Sequence, residues 1–130
     1  MLFLIYDYVN ANGKNEVRHW TEGLQPKERI KLNQKLDALA KDGDTLFPHL
    51  LAPTSTPGIL KLRLQGNPKL RPLLCKGPVA GEIAFTLLAG AKEIQWILKP
   101  VGVESTANSR KTEVIQDPAN RRRIHERIAK

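Results

Sequence analysis

The first half of the chain carries an apolar pattern that predicts a strand followed by a helix. Residues 2–9, "LFLIYDYV", are rich in β-branched and aromatic side chains and contain no breaker, which predicts a strand. Leu32, Leu36 and Leu39 then recur at i, i+4 and i+7, the spacing of one helix face. Pro26 suits the first turn of this helix, and the Asp-Gly pair at its far end is a stop signal.

The second half is expected to begin with a three-stranded meander. Alternating or apolar runs predict strands at residues 59–65, 70–75 and 82–88. The run "IQWIL" at residues 94–98 either extends the sheet or forms a connection. We expect its Trp96 to be a packing anchor rather than a platform for stacking bases.

The end of the chain has helical signals. Residues 103–115 predict one helix, and Asp117 can cap a last helix with Pro118 at its first position. This basic C-terminal helix is expected within residues 115–130. The order of elements predicts an α+β fold, with a small antiparallel or mixed sheet of four to five strands packed by an N-terminal helix and C-terminal helices. At this length we expect a single domain, 1–130.

Two runs of alternating leucines and cations flank a Gly-Asn-Pro break in the middle of the chain. A three-residue loop at the break pairs Leu64 with Leu70 and Arg63 with Arg71, whereas a four-residue loop would mix the two faces. The first register places two arginines opposite each other, which is destabilising on a sheet. Pro72 cannot donate a ladder hydrogen bond, so it requires a bulge or a strand edge at that point.

The same register predicts a cationic patch on the outer face of the hairpin. Lys61 and Lys69 lie on the face that the two arginines share. A bound anion would offset the repulsion, because the planar arginine fork makes bidentate contacts with phosphate. Screening of an exposed pair by solvent and salt is the alternative explanation.

The net charge is confined to one half of the chain. Residues 1–60 carry seven Lys/Arg and seven Asp/Glu, whereas residues 61–130 carry fourteen and six, which accounts for the entire formal charge of +8. A basic half beside a neutral half indicates a polyanion or an acidic partner, and nucleic acid is the commonest such target. A basic surface without a ligand is the alternative.

Cysteine content and hydropathy indicate a cytoplasmic protein that does not enter a membrane. Cys75 is the single cysteine, which excludes an internal disulfide and a Cys-based zinc site. It lies in an apolar run, so we expect a buried structural thiol. The apolar start is too short for a signal peptide, and no segment approaches the roughly 20 apolar residues of a membrane helix.

Short motifs in the basic half match a known family pattern. Arg63 lies in "KLRL", Arg71 precedes an apolar run, and residues 87–93 read "LLAGAKE" before a helix that carries Ala107 and Arg110. These motifs resemble those of the RelE/ParE toxin superfamily. The resemblance is strongest to its phage-derived, RelE-like branch, which also includes HigB-type toxins. The family runs strand, one or two helices, three-stranded meander and C-terminal helix.

The resemblance implies the toxin component of a type II toxin–antitoxin system, which cleaves mRNA on the ribosome and is held inactive by a cognate antitoxin. It implies no metal and no other cofactor, since the RNA 2′-hydroxyl is the nucleophile and cations stabilise the strained phosphate. Carried over by position, the catalytic residues would be Arg63, Arg71 and Lys92. The cations expected to bind nucleic acid are Lys61, Lys69, Arg110, Arg121, Arg122 and Arg123. The three tail arginines suit an acidic antitoxin equally well.

Departures from the family pattern leave two other functions open. Ala89 and Ala91 stand where the family often has His and Phe, and Glu93 replaces a second lysine. No general acid or base is evident near the meander, and His125 in the tail is the one titrating candidate. The alternatives are a non-catalytic, phage- or prophage-derived nucleic-acid-binding protein with the RelE fold, and a ParE-like gyrase inhibitor.

Overall fold

Residues 2–128 are described by a computed structural model, in which nine strands and four α-helices follow one another. In chain order the elements are β1 Leu4–Tyr8, α1 Glu16–Glu22, α2 Pro26–Asp42, β2 Leu51–Pro53, β3 Leu60–Leu62, β4 Lys69–Leu70, β5 Leu73–Lys76, β6 Ala84–Ala89, β7 Lys92–Ile94, β8 Ile97–Lys99, α3 Val103–Gln116, α4 Pro118–Arg121 and β9 Arg122–Ile124. A short 3-10 helix, Gly43–Leu46, follows α2. The α+β class that the sequence predicts is confirmed.

The strands form two sheets rather than one. Six of them make a mixed sheet in the order β2-β3-β5-β6-β1-β9, and the other three make a smaller sheet in the order β4-β7-β8. β1 runs parallel to β6, and the other neighbours are antiparallel. All six residues of β6 are buried, which explains why "AFTLLA" is apolar without alternation. The predicted sheet of four to five strands was therefore too small.

The predicted register of the two leucine–cation runs is confirmed. β3 pairs antiparallel with β5, and the pairing continues towards the loop, where the Leu64 N–H donates to the Leu70 carbonyl at 3.2 Å. Arg63 and Arg71 therefore occupy facing backbone positions. The leucine faces determine this register, because a slip of one residue would turn every leucine towards solvent.

Pro72 marks the point where one run of sequence divides between the two sheets. Residues before it pair with β7 of the smaller sheet, and residues after it join β6 of the main sheet. The Pro72 carbonyl accepts a hydrogen bond from the Leu62 N–H at 3.0 Å, but proline has no N–H to return. A bulge between Leu73 and Leu74 absorbs the irregularity, as the proline requires.

The two long helices lie where the sequence predicts them. α2 begins at Pro26 and ends at Asp42, and α3 extends one residue past the predicted range of 103–115. Their core-facing residues are buried: Leu32, Leu36 and Leu39 on α2, and Val103, Ala107 and Val114 on α3. Within residues 2–128, no helix is long and apolar enough to cross a bilayer.

The basic end of the chain is not the helix that its sequence predicts. α3 ends at Gln116, α4 lasts four residues, and Arg122–Ile124 pair with β1 as an edge strand. The strand satisfies backbone groups of β1 that would otherwise lack partners, and it places the Arg122 guanidinium 4.0 Å from the centroid of the Tyr6 ring. Residues 129–130 of the predicted helix lie outside the described residues.

Gly90, between β6 and β7, is required by the close approach of an aromatic ring. A Cβ atom at this position would lie 2.1 Å from Cδ2 of Trp20 on α1. We expect Gly90→Ala to lower the free energy of unfolding by about 1 to 3 kcal/mol, because the indole must shift to make room. Chemical denaturation measures the loss.

A matched control is Gly23→Ala, at the C-cap of α1, the helix that carries Trp20. Gly23 has a φ of −78°, and the nearest atom to an added Cβ is 3.4 Å away. This variant should stay within about 0.5 kcal/mol of the parent protein. Equal effects at both glycines would contradict the tight contact between Gly90 and Trp20.

Candidate nucleic-acid interface

The β7–β8 hairpin presents a tryptophan to solvent. Its two-residue turn consists of Gln95 and Trp96, whose φ angles are 49° and 71°. Non-glycine residues rarely adopt this region of backbone space, and tight hairpin turns are one place where they do. Trp96 is 87% exposed. The prediction that Trp96 is a packing anchor was therefore wrong.

Trp96 lies between two surface clefts. The first, of about 570 Å³, is formed by the turn at residues 66–69 and by the hairpin. The second, of about 540 Å³, is formed by Lys61, β8 and the start of α3. Lys69 lines the first cleft, and its Nζ lies 5.4 Å from the centroid of the indole ring, a cation–π distance. Each cleft beside the indole thus contains a lysine.

The second cleft also contains one carboxylate, that of Glu104 on α3. Burial would raise its pKa, but hydrogen bonds from Ser55 Oγ (2.8 Å) and from Thr56 N and Oγ1 (3.0 Å each) outweigh burial and hold the pKa below its usual value. The carboxylate is therefore ionised at neutral pH. Its charge is matched by donors of the loop between β2 and β3.

Glu93 supplies a negative charge beside Arg71, one of the two facing arginines. Its Oε1 lies 3.4 Å from both Lys61 Nζ and Arg71 Nε, and its side chain is largely buried. Arg71 is only 7% exposed, and its Nη1 donates to the carbonyls of Leu64 (2.8 Å) and Leu70 (2.9 Å). A carboxylate of the chain itself thus occupies the place beside Arg71 that was expected for a bound anion.

Arg63 and Lys92, the other two predicted catalytic residues, lie in different surroundings. Arg63 is exposed, and its Nη1 approaches the His49 carbonyl at 3.4 Å. Lys92 faces Lys99 across β7–β8, and strand alternation directs its side chain away from the face of Glu93. The three predicted catalytic cations are therefore not gathered around one point.

Arg110, predicted to bind nucleic acid, connects α3 to the core instead. It donates to the Leu88 carbonyl at 2.8 Å and to Glu16 Oε2 at 2.9 Å, and its guanidinium carbon lies 4.9 Å from the centroid of the Tyr8 ring. Burial raises the pKa of Tyr8 to about 12, and a hydrogen bond to Glu113 adds to this effect. These contacts give Arg110 a structural role.

The tail arginines lie at the edge of the main sheet that is farthest from β2. Arg122 makes a two-pronged ion pair with Glu82, and the hydrogen bond from Arg122 lowers the pKa of that carboxyl. Arg121 Nε lies 3.8 Å from a Glu113 oxygen, and Arg123 is exposed. Three strands separate this edge strand from β3, so these arginines do not extend the surface around Trp96.

His125, the predicted titrating candidate, has a largely buried side chain, and Cys75 is buried. His125 Nδ1 lies 2.8 Å from Asp7 Oδ1, and the second oxygen of Asp7 accepts a hydrogen bond from Asn15 at 2.9 Å. Because His125 follows β9, it lies far from Arg63. Burial raises the pKa of the Cys75 thiol to about 12, which fits the expected structural thiol.

Sequence reasoning missed the residues that the hairpin brings to the surface, namely Trp96 as an exposed ring and Lys99 as the partner of Lys92. The sequence signal for this hairpin was "KEIQWILK", in which two short strand-like runs flank the two residues of the turn. Its centre lacks the Asn-Gly or Asp-Gly pair that normally identifies such a turn. An exposed tryptophan at a positive-φ position was therefore not predictable from propensity.

The buried carboxylate generates a stability prediction. Glu93→Gln keeps the side-chain shape but removes the charge that Lys61 and Arg71 share, so Arg71 becomes an uncompensated buried cation. We expect the free energy of unfolding to fall by about 2 to 4 kcal/mol in urea denaturation. Glu22→Gln, which removes an exposed pair with Arg18 at 3.5 Å, should cost at most about 0.5 kcal/mol. Equal losses would contradict the role of Glu93.

Comparisons with protein-family models, with curated proteins and with solved structures gave no match. The contacts, burial and charges of the hairpin are accordingly the basis for a functional interpretation.

Proposed function

We propose that the protein binds single-stranded nucleic acid on the surface around Trp96. The observation that carries this proposal is the exposure of the indole, 87%, on a hairpin turn between two clefts that each contain a lysine. A large aromatic ring left in water costs hydrophobic free energy, so its exposure calls for a partner.

Stacking on Trp96 explains why the ring is presented in this way. Nucleic-acid bases have flat π faces, and a base on an aromatic side chain contributes about 1 to 3 kcal/mol. Bases are free to stack in this manner only when they are not already stacked in a duplex. The geometry therefore favours a single strand over a double helix.

The surrounding charge supports a polyanionic partner. Lys69 lies against the indole in the first cleft, which Lys92 also lines. In the second cleft the charge of Lys61 is shared with Glu93, and Glu104 adds a carboxylate, so the first cleft is the more cationic of the two. Residues 61–130, which include the hairpin, carry the whole formal charge of +8. A backbone running from one cleft to the other would place phosphates near lysines while one base stacks on Trp96.

We expect Trp96→Ala to weaken binding of an unstructured RNA oligonucleotide of about 10 nucleotides by about 5- to 150-fold, the equivalent of one lost stacking contact. Fluorescence anisotropy with a labelled oligonucleotide measures the change. Trp96→Phe should retain most of the affinity, because a smaller aromatic face remains. Lys69→Gln should reduce the slope of log affinity against log salt by about 0.7.

Ile115→Ala is the matched control, since Ile115 is an exposed apolar residue on α3 that lines neither cleft. It should leave the affinity unchanged. Single-stranded DNA of the same sequence shows whether the 2′-hydroxyl matters, and duplex should compete poorly. Unchanged affinity in Trp96→Ala, or equal affinity for duplex, would refute stacking on Trp96.

A second candidate function is the one that the family resemblance implies, a toxin that cleaves mRNA on the ribosome. The order of elements favours it: β1, then α1 and α2, then the meander β3-β5-β6, then α3. This is the order expected for a RelE-like chain. Arg63 remains an exposed candidate for contact with a phosphate, whereas Arg71 is buried against Glu93 and would act only by positioning its neighbours.

The toxin candidate predicts growth arrest when the soluble protein is expressed alone in bacteria, with cleaved mRNA on ribosomes. Arg63→Ala should relieve arrest without loss of stability, because Arg63 is exposed. Arg71→Ala is not a clean test, since it removes a buried side chain that binds two carbonyls. Lys41→Ala, at an exposed lysine near the end of α2, is the control and should remain toxic.

Normal growth at high soluble expression would reject this candidate, and arrest with intact mRNA would indicate a gyrase inhibitor instead.

A further inference from the structure

A cavity of about 570 Å³, here called the α1 cavity, lies between α1 and the smaller sheet. Its volume is within the range of small-molecule sites. Its wall is mostly apolar, and the apolar lining residues are Trp20, Leu24, Pro68, Leu70, Ala91 and Pro100. Trp20 is fixed there by its close packing on Gly90, so one aromatic side chain is held in place at the cavity.

Two lysines, Lys92 and Lys99, border the α1 cavity. Lys92 and Lys99 face each other across β7–β8, so both side chains lie on one face of the smaller sheet. Like charges at facing positions repel. Neither lysine forms an ion pair within residues 2–128, in contrast to Lys61 and Arg71, which share Glu93.

The one carboxylate among the lining residues is that of Glu28, near the start of α2. Its Oε1 accepts a hydrogen bond from the Gln25 N–H at 2.8 Å and closes the capping box of α2. The α1 cavity therefore combines an apolar wall, a fixed indole, two facing cations and one carboxylate that is hydrogen-bonded to the backbone at the start of α2.

We propose that the α1 cavity binds a phosphomonoester attached to a flat ring, the chemistry of a nucleoside monophosphate. A phosphomonoester carries close to two negative charges at neutral pH, which matches two lysines, whereas each phosphodiester inside a strand carries one. The flat ring fills apolar volume beside Trp20. Inorganic phosphate leaves that wall uncovered, and a neutral nucleoside leaves the lysines unmatched, so both parts of the ligand are needed.

This site adjoins the proposed single-strand surface, because Pro68 and Lys92 line both the α1 cavity and the first cleft beside Trp96. Lys99 lines the α1 cavity and neither of the clefts beside Trp96. The same chemistry occurs in a free mononucleotide and at the phosphorylated 5′ end of a strand. Lys99→Gln changes only the α1 cavity and Trp96→Ala changes only the surface around Trp96, so failure of one proposal is distinguishable from failure of the other.

The test uses the full chain with Trp96→Phe, which leaves Trp20 as the only tryptophan. Titration with AMP should change its fluorescence saturably, and adenosine or inorganic phosphate should bind at least about tenfold more weakly. Lys99→Gln in the same background should lower the affinity for AMP by about tenfold. Lys41→Gln, at an exposed lysine of α2 that lines none of these sites, is the control and should leave the affinity for AMP unchanged.

Calorimetry on the parent protein provides a second readout that does not depend on fluorescence. Absence of AMP binding by both methods, adenosine as tight as AMP, or AMP binding unaffected by Lys99→Gln would overturn the proposal. Oligonucleotides with and without a 5′ phosphate identify the source of the ligand. If the 5′ phosphate raises the affinity of the oligonucleotide and Lys99→Gln abolishes that increase, the ligand is the end of a strand. If AMP binds but the 5′ phosphate does not raise the affinity of the oligonucleotide, the ligand is a free nucleotide.

Discussion

The ion pair between Glu93 and Arg71 is the interaction on which the hairpin surface depends. Arg71 lies where the chain passes from the smaller sheet to the main sheet, and its N–H donates to the Ala91 carbonyl at 2.8 Å. Glu93 lies on β7, so the pair connects the junction to the hairpin. Because both groups are largely buried, loss of Glu93 would leave the charge of Arg71 without compensation. The position of Trp96 in space follows from this connection.

The two faces of the smaller sheet differ in chemistry because its side chains alternate. On one face Glu93 neutralises part of the cationic charge of Lys61 and Arg71, and Lys69 remains beside the exposed indole. On the other face Lys92 and Lys99 face each other above an apolar cavity. One short hairpin thus presents an exposed indole at its turn and borders the α1 cavity with one of its faces.

The sequence predicted those features that depend on neighbouring residues. Periodic leucines located α2, and the leucine faces fixed the register that brings Arg63 opposite Arg71. The burial of Arg71 was not predictable, because it depends on a carboxylate that only the pairing of β4 with β7 brings near. The tail was misassigned for a similar reason: its strand forms only because the edge of β1 is available.

The short strand β9 has a further consequence for the molecule in a crowded solution. A long, uncovered edge at β1 would offer its apolar residues and free backbone groups to the strands of other chains. β9 covers that edge with three residues, two of them arginines, and the opposite edge strand, β2, ends in Pro53. Short, charged or proline-containing edges are poor templates for intermolecular pairing. The main sheet is thereby protected from growing into an aggregate.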